Sequence, residues 1–306
     1  MTDAATADHL LPNGQEVPFA EIESALGGGA EEGKRGAGFG LTATIVVVGP
    51  PARLAEAANA LGELTDVGIR TILISYGTNA SPTVCVAEHT VALEGLLPHY
   101  VNNAIAALRL SSLPTFVWWR GGSEDYLTGL ASLADRLVLD AEDPKTVWAR
   151  AGTFDTALSD LRWTMLTRWR ALMAHFFDIP EVRAAAPEFQ RLVIEGSDPP
   201  AARLFAAWLA SSLKWKQAVP MELHERPGAA PIEQISLGGG DQQLTLRLGS
   251  QRTCIETTAQ VHGYAAASRT VSLGDQGLAA LIGEELRIRS RDLAFERAVA
   301  AIEGIA

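Results

Sequence analysis

Short apolar runs alternate with amphipathic segments in the first half of the chain. The apolar runs are rich in β-branched and aliphatic residues and have the length of strands buried on both faces. They lie at residues 43–49, 69–76, 83–93, 114–119 and 136–140. Segments with helical spacing of apolar residues separate or follow them, at 53–64, 98–110, 125–134 and 143–151. This alternation predicts a mainly parallel, doubly wound sheet with helices on both faces.

The second half of the chain has a different pattern. Between residues 161 and 177, apolar side chains cover an arc of about 200°, which is typical of a buried helix. The pattern then predicts a strand over 188–196 and a helix over 201–215. Three short runs, at 235–249, 252–261 and 268–274, indicate an antiparallel meander. Two helices, at 275–286 and 292–303, close the chain. We therefore expect an α/β domain over residues 41–155 and a smaller α+β domain over residues 156–306.

The first 40 residues are predicted to form a mobile segment and a glycine-rich linker. Between these parts, one short helix over 17–26 would place Phe19, Ile22 and Leu26 on one face. The linker contains Gly28–Arg35, which nearly matches the P-loop pattern GxxxxGK[ST]. An arginine replaces the magnesium-binding hydroxyl, and no buried strand precedes the run. We therefore interpret this run as an inert linker.

Composition and charge narrow the classes of function. Of 306 residues, 25 are Lys or Arg and 36 are Asp or Glu, so the formal net charge is −11. An acidic protein of this kind is poorly suited to general binding of nucleic acids or anionic membranes. The N-terminal sequence lacks the features of a signal peptide, and no apolar run has the length of a membrane span. We expect a cytoplasmic protein.

The familiar sequence signatures of catalysis and cofactor binding are missing. The loop Gly49–Arg53, after the first predicted core strand, has two prolines where a dinucleotide site would need GxGxxG and free amide donors. There is no GxSxG motif, and no two of the six histidines have helical metal-ligand spacing. Cys85 and Cys254 fall in different predicted domains, so we expect no disulfide switch. We assign no catalytic, cofactor-binding or metal-binding residue.

Tryptophan and arginine are concentrated in two segments. Trp118, Trp119 and Arg120 end a predicted strand, at the edge of the sheet where open α/β proteins present ligands or partners. Alternation along the strand sends one indole into each layer, so each ring is either a core anchor or part of a site. In the helix predicted over 161–177, Arg170 lies at the edge of the apolar arc and needs a partner, whereas Arg168 lies on the narrow polar face.

These two segments resemble motifs of OpcA, the family of glucose-6-phosphate dehydrogenase assembly proteins. The first motif is Leu-Pro-x-(apolar)₂-Trp-Trp-Arg, matched here by Leu113–Gly121. The second is Asp-Leu-x-Trp-x-x-Leu-x-x-Trp-Arg, matched here by Asp160, Leu161, Trp163, Leu166, Trp169 and Arg170. The resemblance extends over roughly residues 15–215. Two departures are Met165, where the family often has arginine, and Arg168, where proline is common.

The resemblance implies a non-enzymatic protein that binds glucose-6-phosphate dehydrogenase and promotes its active oligomer in the oxidative pentose phosphate pathway. Because Trp and Arg are enriched among interface hot spots, the candidate interface residues are Trp118, Trp119, Arg120, Arg168 and Arg170. One alternative is a small-molecule enzyme with its site near Trp119, Arg120 and Asp140. Another is a structural subunit of a different complex.

Overall fold

The computed structural model describes residues 10–11, 13–28, 40–65, 67–77, 82–215 and 220–304. The chain forms two compact units, and each draws on more than one stretch of sequence. Unit 1 comprises Met1–Glu142, Phe154–Ser159 and Ile282–Arg291, and unit 2 comprises Asp143–Thr153, Asp160–Leu281 and Asp292–Ala306. The domain boundary expected between residues 155 and 156 falls within one of the short segments of unit 1, and a second such segment comes from near the end of the chain.

Unit 1 is built on an eight-stranded sheet. Its strands are β1 (Gln15–Glu16), β2 (Ala43–Val48), β3 (Ile69–Tyr76), β4 (Thr83–Ala87), β5 (Thr90–Leu96), β6 (Thr115–Trp119), β7 (Arg136–Leu139) and β8 (Ala157–Asp160). Their spatial order is β1-β4-β5-β3-β2-β6-β7-β8. The neighbours from β5 to β7 are parallel, whereas β4 and β1 are added antiparallel at one edge. The expected mainly parallel sheet is confirmed.

The chain enters this sheet in its middle. From β2 it moves outward to β3 and β5, and then returns to the other side of β2 to form β6, β7 and β8. This is the strand order of a doubly wound, Rossmann-like fold, in which ligands bind at the topological switch point. Here that point lies between the carboxyl ends of β2 and β6. All six residues of β2 are buried, as expected of a strand covered on both faces.

The described residues form eleven α-helices, several of which begin as their sequences indicate. They are α1 (Ile22–Gly28), α2 (Pro51–Gly62), α3 (Val101–Leu108), α4 (Leu127–Leu133), α5 (Lys145–Ala151), α6 (Leu161–Met165), α7 (Thr167–Phe176), α8 (Pro180–Ala185), α9 (Pro199–Leu213), α10 (Leu278–Arg287) and α11 (Leu293–Ala301). Proline opens α2, α8 and α9, because the first helical turn needs no amide donor from it. None of these helices is both long and apolar enough to cross a membrane.

The run at 83–93 is a hairpin, and the expectation of one strand was wrong. Strands β4 and β5 pair antiparallel within it, and the chain turns at Glu88 and His89. Glu88 has a φ of +49°, in the left-handed region. Since no glycine or proline marks this turn, the apolar pattern alone continues through it.

Within the first 40 residues, the short helix predicted over 17–26 corresponds to a single turn at Phe19–Glu21 followed by α1 (Ile22–Gly28). Gln15 and Glu16 pair with β4, and Ile22 and Leu26 on α1 are buried. Phe19, expected on the same face, is exposed. The rest of that segment, residues 1–9, 12 and 29–39, lies outside the described residues and includes most of the P-loop-like run.

A buried ion pair holds α10 to the parallel sheet of unit 1. Arg136 on β7 approaches Glu285 Oε2 through Nε at 2.8 Å and Nη2 at 2.7 Å. Its Nη1 donates to the carbonyl oxygen of Ser290 at 3.0 Å, and Ser159 Oγ donates to Glu285 Oε1 at 2.8 Å. Both charged side chains are almost inaccessible to solvent. Each therefore depends on the other for compensation of its charge.

Unit 2 is built on a six-stranded sheet. Its strands are β9 (Arg191–Gly196), β10 (Met221–Glu225), β11 (Gln234–Gly239), β12 (Gln242–Leu248), β13 (Cys254–Val261) and β14 (Tyr264–Ser272). The order is β10-β9-β11-β12-β13-β14, with β10 parallel to β9 and the other neighbours antiparallel. The predicted meander is thus confirmed as β11–β14, whereas β10 was not predicted. Residues of β13 are alternately buried and exposed, so one face of the sheet is covered and the other faces solvent.

Candidate functional site

Trp118 and Trp119 end β6 beside the switch point of unit 1. Both are buried, with exposed fractions of 0% and 2%. Neighbouring side chains of a strand point to opposite faces, so each indole fills a different layer beside the sheet. Neither indole Nε1 has a hydrogen-bond partner among the described residues. The two rings are therefore packed in the core of unit 1.

Arg120 follows directly and is also buried, with an exposed fraction of 3%. Its Nε donates to Asp140 Oδ2 at 2.7 Å, its Nη1 to the carbonyl oxygen of Arg53, and its Nη2 to Glu56 Oε2 at 3.1 Å. Its guanidinium carbon lies 4.8 Å from the centre of the Trp118 ring. Arg53 Nη2 lies 3.0 Å from the same Asp140 oxygen. The guanidinium is therefore held between the end of β6 and the first turns of α2.

This network occupies the place where a Rossmann-like sheet holds a dinucleotide. In such a site, amides of a glycine-rich turn approach the pyrophosphate at the start of the first helix. Here Pro50 and Pro51 supply no amide donors. A Cβ on Gly49 would lie 3.1 Å from the Cβ of Arg120, so that side chain lies directly against the turn. The residues present do not fit a dinucleotide, and the site expected for a small-molecule enzyme is filled by side chains of the protein.

Tyr76 packs at the neighbouring strand end. It is the last residue of β3, and its ring lies against Gly122, where any Cβ would overlap it. Gly122 has a φ of +117°, a conformation that favours glycine. Burial, with a smaller contribution from Tyr126, raises the pKa of Tyr76 to about 12. Its hydroxyl has no hydrogen-bond partner within the described ranges. It stays protonated at neutral pH and is no general base there.

Three helix N-caps explain the Asp-Leu-x-Trp motif in unit 2. Asp160, Asp198 and Asp292 accept hydrogen bonds from backbone amides at the starts of α6, α9 and α11. Each aspartate also accepts a hydrogen bond from a side chain. The donors are Trp148 Nε1 to Asp160 at 3.0 Å, Arg162 Nε to Asp198 at 2.9 Å and Trp163 Nε1 to Asp292 at 2.7 Å. The motif therefore connects four helices of this unit, α5, α6, α9 and α11.

The helix predicted over 161–177 is two helices, α6 and α7, which meet at Leu166. Its apolar face is buried as expected at Leu161, Trp163, Leu166, Trp169, Met173 and Phe176. Thr164, expected on the polar face, is also buried, whereas Leu172 and Phe177 are only half-buried. Residues on the two sides of a break no longer follow one helical period, so a single arc of 200° misplaces them.

The two arginines of α7 differ in their surroundings. Arg170 Cζ lies 3.4 Å from the centre of the Trp163 ring, and its Nη2 donates to the carbonyl oxygen of Trp163 at 3.1 Å. Arg168 is exposed and lines a surface cavity of about 660 Å³. Of the five candidate interface residues, three are buried together in unit 1. Arg170 is partly covered within unit 2, and Arg168 is exposed there.

The cysteines are a buried and a half-buried thiol. Cys85 lies inside β4 and Cys254 begins β13, and neither forms a disulfide. Burial, then the carboxylates of Glu94 and Glu16, raise the pKa of the Cys85 thiol. Such a thiol reacts slowly, so Cys254 stays the predicted reactive one. Among the described residues, no cluster of His, Cys, Asp or Glu is arranged to hold a metal ion.

Sequence reasoning missed the acidic partners of these aromatic and basic side chains. Glu285 is separated from Arg136 by 149 positions, and Asp292 from Trp163 by 129. Asp198 and Asp292 carried a usable signal, because each stands just before a helix, as an N-cap does. Glu285 carried none, since it is one acid among several in an amphipathic helix.

Comparison with known proteins supports the family suggested by the two motifs. Residues 156–299 match the OpcA family model for the C-terminal domain of a glucose-6-phosphate dehydrogenase subunit. A protein of Nostoc punctiforme, named "Putative OxPP cycle protein OpcA", is 25% identical over 292 residues, covering 78% of this chain and 62% of that protein. A protein of the same name from Synechocystis sp. is 24% identical over 291 residues, covering 78% and 61%. The chain thus spans less than two thirds of the length of these relatives.

Likenesses among solved structures are weaker. An oxidoreductase from Sinorhizobium meliloti shares 9% identity at a TM-score of 0.47, covering 87% of this chain and 96% of that one. An aldose-aldose oxidoreductase from Caulobacter crescentus shares 11% at a TM-score of 0.46, covering 86% and 96%. At these scores the two likenesses carry nothing about function. The family model over residues 156–299 and the named relatives agree with the motifs at 113–121 and 160–170, and all of them are similarities to the OpcA family.

Proposed function

We propose that this chain is a non-catalytic partner of glucose-6-phosphate dehydrogenase, which binds the enzyme and promotes its active oligomer in the oxidative pentose phosphate pathway. The proposal draws on the description of the matching family model, which names a subunit of that dehydrogenase. It also draws on the relatives, whose name refers to the OxPP cycle. The cytoplasmic location expected from the sequence is part of the proposal.

The main support for a non-catalytic role is that side chains of the protein fill the switch-point crevice of unit 1. A Rossmann-like sheet offers one preferred place for a cofactor, at its switch point. In this chain Arg120 occupies that place with Asp140, Glu56 and the backbone of Arg53. A scaffold that has filled its ligand crevice with its own salt bridges is suited to act through its surface. The same filling counts against the alternative of a small-molecule enzyme.

Affinity capture tests the proposal. The tagged chain is expressed in its own organism, captured from the cytoplasm at low and high salt, and the co-purifying proteins are identified by mass spectrometry. We expect the dehydrogenase to co-purify in amounts comparable to the tagged chain. Recovery of an unrelated complex without the dehydrogenase would overturn the proposal and favour a structural subunit.

A matched control separates the non-catalytic claim from the binding claim. The purified chain alone is assayed for reduction of nicotinamide cofactors with glucose 6-phosphate, and we expect no turnover. Turnover by the chain alone, retained in an Arg120→Ala variant, would show an active site elsewhere and refute the non-catalytic assignment.

A further inference from the structure

The surface cavity beside α7 has the features of a peptide-docking groove. It lies between α7 and α8 on one side and β13 and β14 on the other, with a volume of about 660 Å³. We call it the α7–β14 groove and define it by Arg168, Leu172, Phe176, Ile179, Tyr264 and Arg269. All of these residues belong to unit 2. A volume of this order is large enough to hold several side chains of a bound segment.

The groove exists because the covered face of the six-stranded sheet continues past its helices. On β13, Ile255 and Thr257 point to the covered face and are buried. Their cross-strand partners on β14 are Val271 and Arg269, which are half-buried and exposed. The helical layer therefore stops short of the last strand and leaves a strip of that face uncovered.

The floor of the groove is apolar. Phe176 and Ala259 are buried at its base, and Leu172, Ile179 and Val271 are half-buried along its length. Half-buried aliphatic side chains still expose apolar surface to water, and a bound apolar side chain would bury that surface. The groove can thus contribute binding energy without rearrangement of the core.

Two arginines on the walls of the groove are not engaged by other described residues of the chain. Arg168 on α7 and Arg269 on β14 are exposed, and neither forms a hydrogen bond or ion pair with any described residue. Arg162 and Arg170 on the neighbouring turns of this unit are, by contrast, engaged with Asp198 and Trp163. In a chain with a net charge of −11, a pair of free guanidinium groups is a local attractor for carboxylates. The groove also carries two carboxylates, at the end beside the turn at Gly263: Asp178, which is paired with His175 at 3.0 Å, and Glu181, whose side chain lies near Gly263.

The strand that forms one wall of the groove is also an edge. β14 is the last strand in the order of the sheet, with β13 as its neighbour within the described chain. The outer edge of such a strand presents backbone donors and acceptors to an added extended segment. The apolar floor, the two arginines and the edge strand therefore all belong to this one groove.

From this juxtaposition we infer that the α7–β14 groove binds an extended, acidic segment of the partner protein, with apolar side chains on the floor and carboxylates on Arg168 and Arg269. The inference rests on the proposed function, since it assigns that segment to the dehydrogenase.

Paired charge reversals test the groove. The test variant is R168E/R269E, and the matched control is R203E/R247E, which changes the net charge equally at two exposed arginines of α9 and β12 that pair with no described residue. Binding of the purified dehydrogenase is measured by biolayer interferometry at two salt concentrations, and thermal unfolding confirms that both variants are folded. We expect affinity to fall by at least about tenfold in the test variant, the scale of a hot-spot loss. The control should stay close to wild type.

The outcomes separate the two proposals. If the wild-type chain does not bind the dehydrogenase, the proposed function fails whatever the groove does. If the wild type binds and R168E/R269E binds as well as R203E/R247E, the groove inference is wrong and the proposed function stands. If the wild-type chain dimerises alone and R168E/R269E abolishes that dimer without weakening the complex, the occupant is a second copy and the inference is overturned.

Hydrogen exchange measures the protection of backbone amides, which an electrostatic attraction by itself would not change. We expect amides of β14 to become protected in the complex with the dehydrogenase, because an added strand would use them. Protection confined to other strands of unit 2, with β14 unchanged, would contradict strand addition in this groove.

Discussion

Replacement of Arg120 by alanine removes the side chain that fills the switch-point crevice. The variant loses a charge-assisted bond of 2.7 Å to Asp140 and the bond to the carbonyl oxygen of Arg53. The bond to Glu56 contributes little, because that side chain is 61% exposed. Breaking a buried ion pair costs about 3–5 kcal/mol. Arg53 remains 3.0 Å from Asp140, so we expect a loss of about 3 kcal/mol, at the lower end of that range.

Urea denaturation and thermal unfolding measure this loss. At about 2–4 °C per kcal/mol, the melting temperature of Arg120→Ala should fall by about 6–12 °C. Arg120→Lys keeps the charge but not the fork of donors, so its loss should be intermediate. Glu56→Gln, the matched control on the exposed side, should change stability by less than about 0.5 kcal/mol. The account of a filled crevice would be refuted if Arg120→Ala melted at the wild-type temperature and the wild-type chain bound a nicotinamide dinucleotide.

Other predictions concern stability and pH. Arg136→Met should lower the free energy of unfolding by about 3–5 kcal/mol, because Glu285 stays buried without the arginine. In urea denaturation, the double variant R136M/E285M should recover most of that loss. Trp163→Phe should cost about 1–3 kcal/mol, chiefly because Asp292 Oδ2 loses its indole donor while Oδ1 keeps its two backbone amides. Trp163→Ala should cost about 3–5 kcal/mol. Because burial raises the pKa of Tyr76 from 10.0 to about 12, its contribution to stability is complete below pH 10 and is lost as the pH approaches 12. Tyr76→Phe should therefore lose less stability than wild type between those pH values, and equal losses would contradict the assignment.

Secondary structure in unit 1 was predictable where a strand is buried on both faces, because such a strand is a continuous run of apolar residues. The strands β2 and β6 and the helices between the parallel strands follow from such runs and from proline at helix starts. The hairpin at 83–93 was missed, because its turn at Glu88 carries neither glycine nor proline. The break at Leu166 was missed for a related reason, since an apolar residue at the junction continues the helical pattern.

The candidate site was less predictable than the fold. The enrichment of Trp and Arg in hot spots applies to side chains at a surface, and the sequence does not state that Trp119 and Arg120 are buried. The burial of Arg120 depends on a carboxylate that only the fold brings near, that of Asp140, which is 20 positions away. The α7–β14 groove is a product of tertiary packing as well, because Arg168 and Arg269 come from a helix and a strand far apart in sequence.

Sedimentation of the dehydrogenase with and without this chain, read together with its activity in the same samples, tests the central claim most directly. Titration of the purified enzyme with the chain should convert it to a larger species that contains both proteins, and the specific activity should rise in proportion to that species. A dehydrogenase whose sedimentation and activity are unchanged at a saturating excess of folded chain would contradict the account.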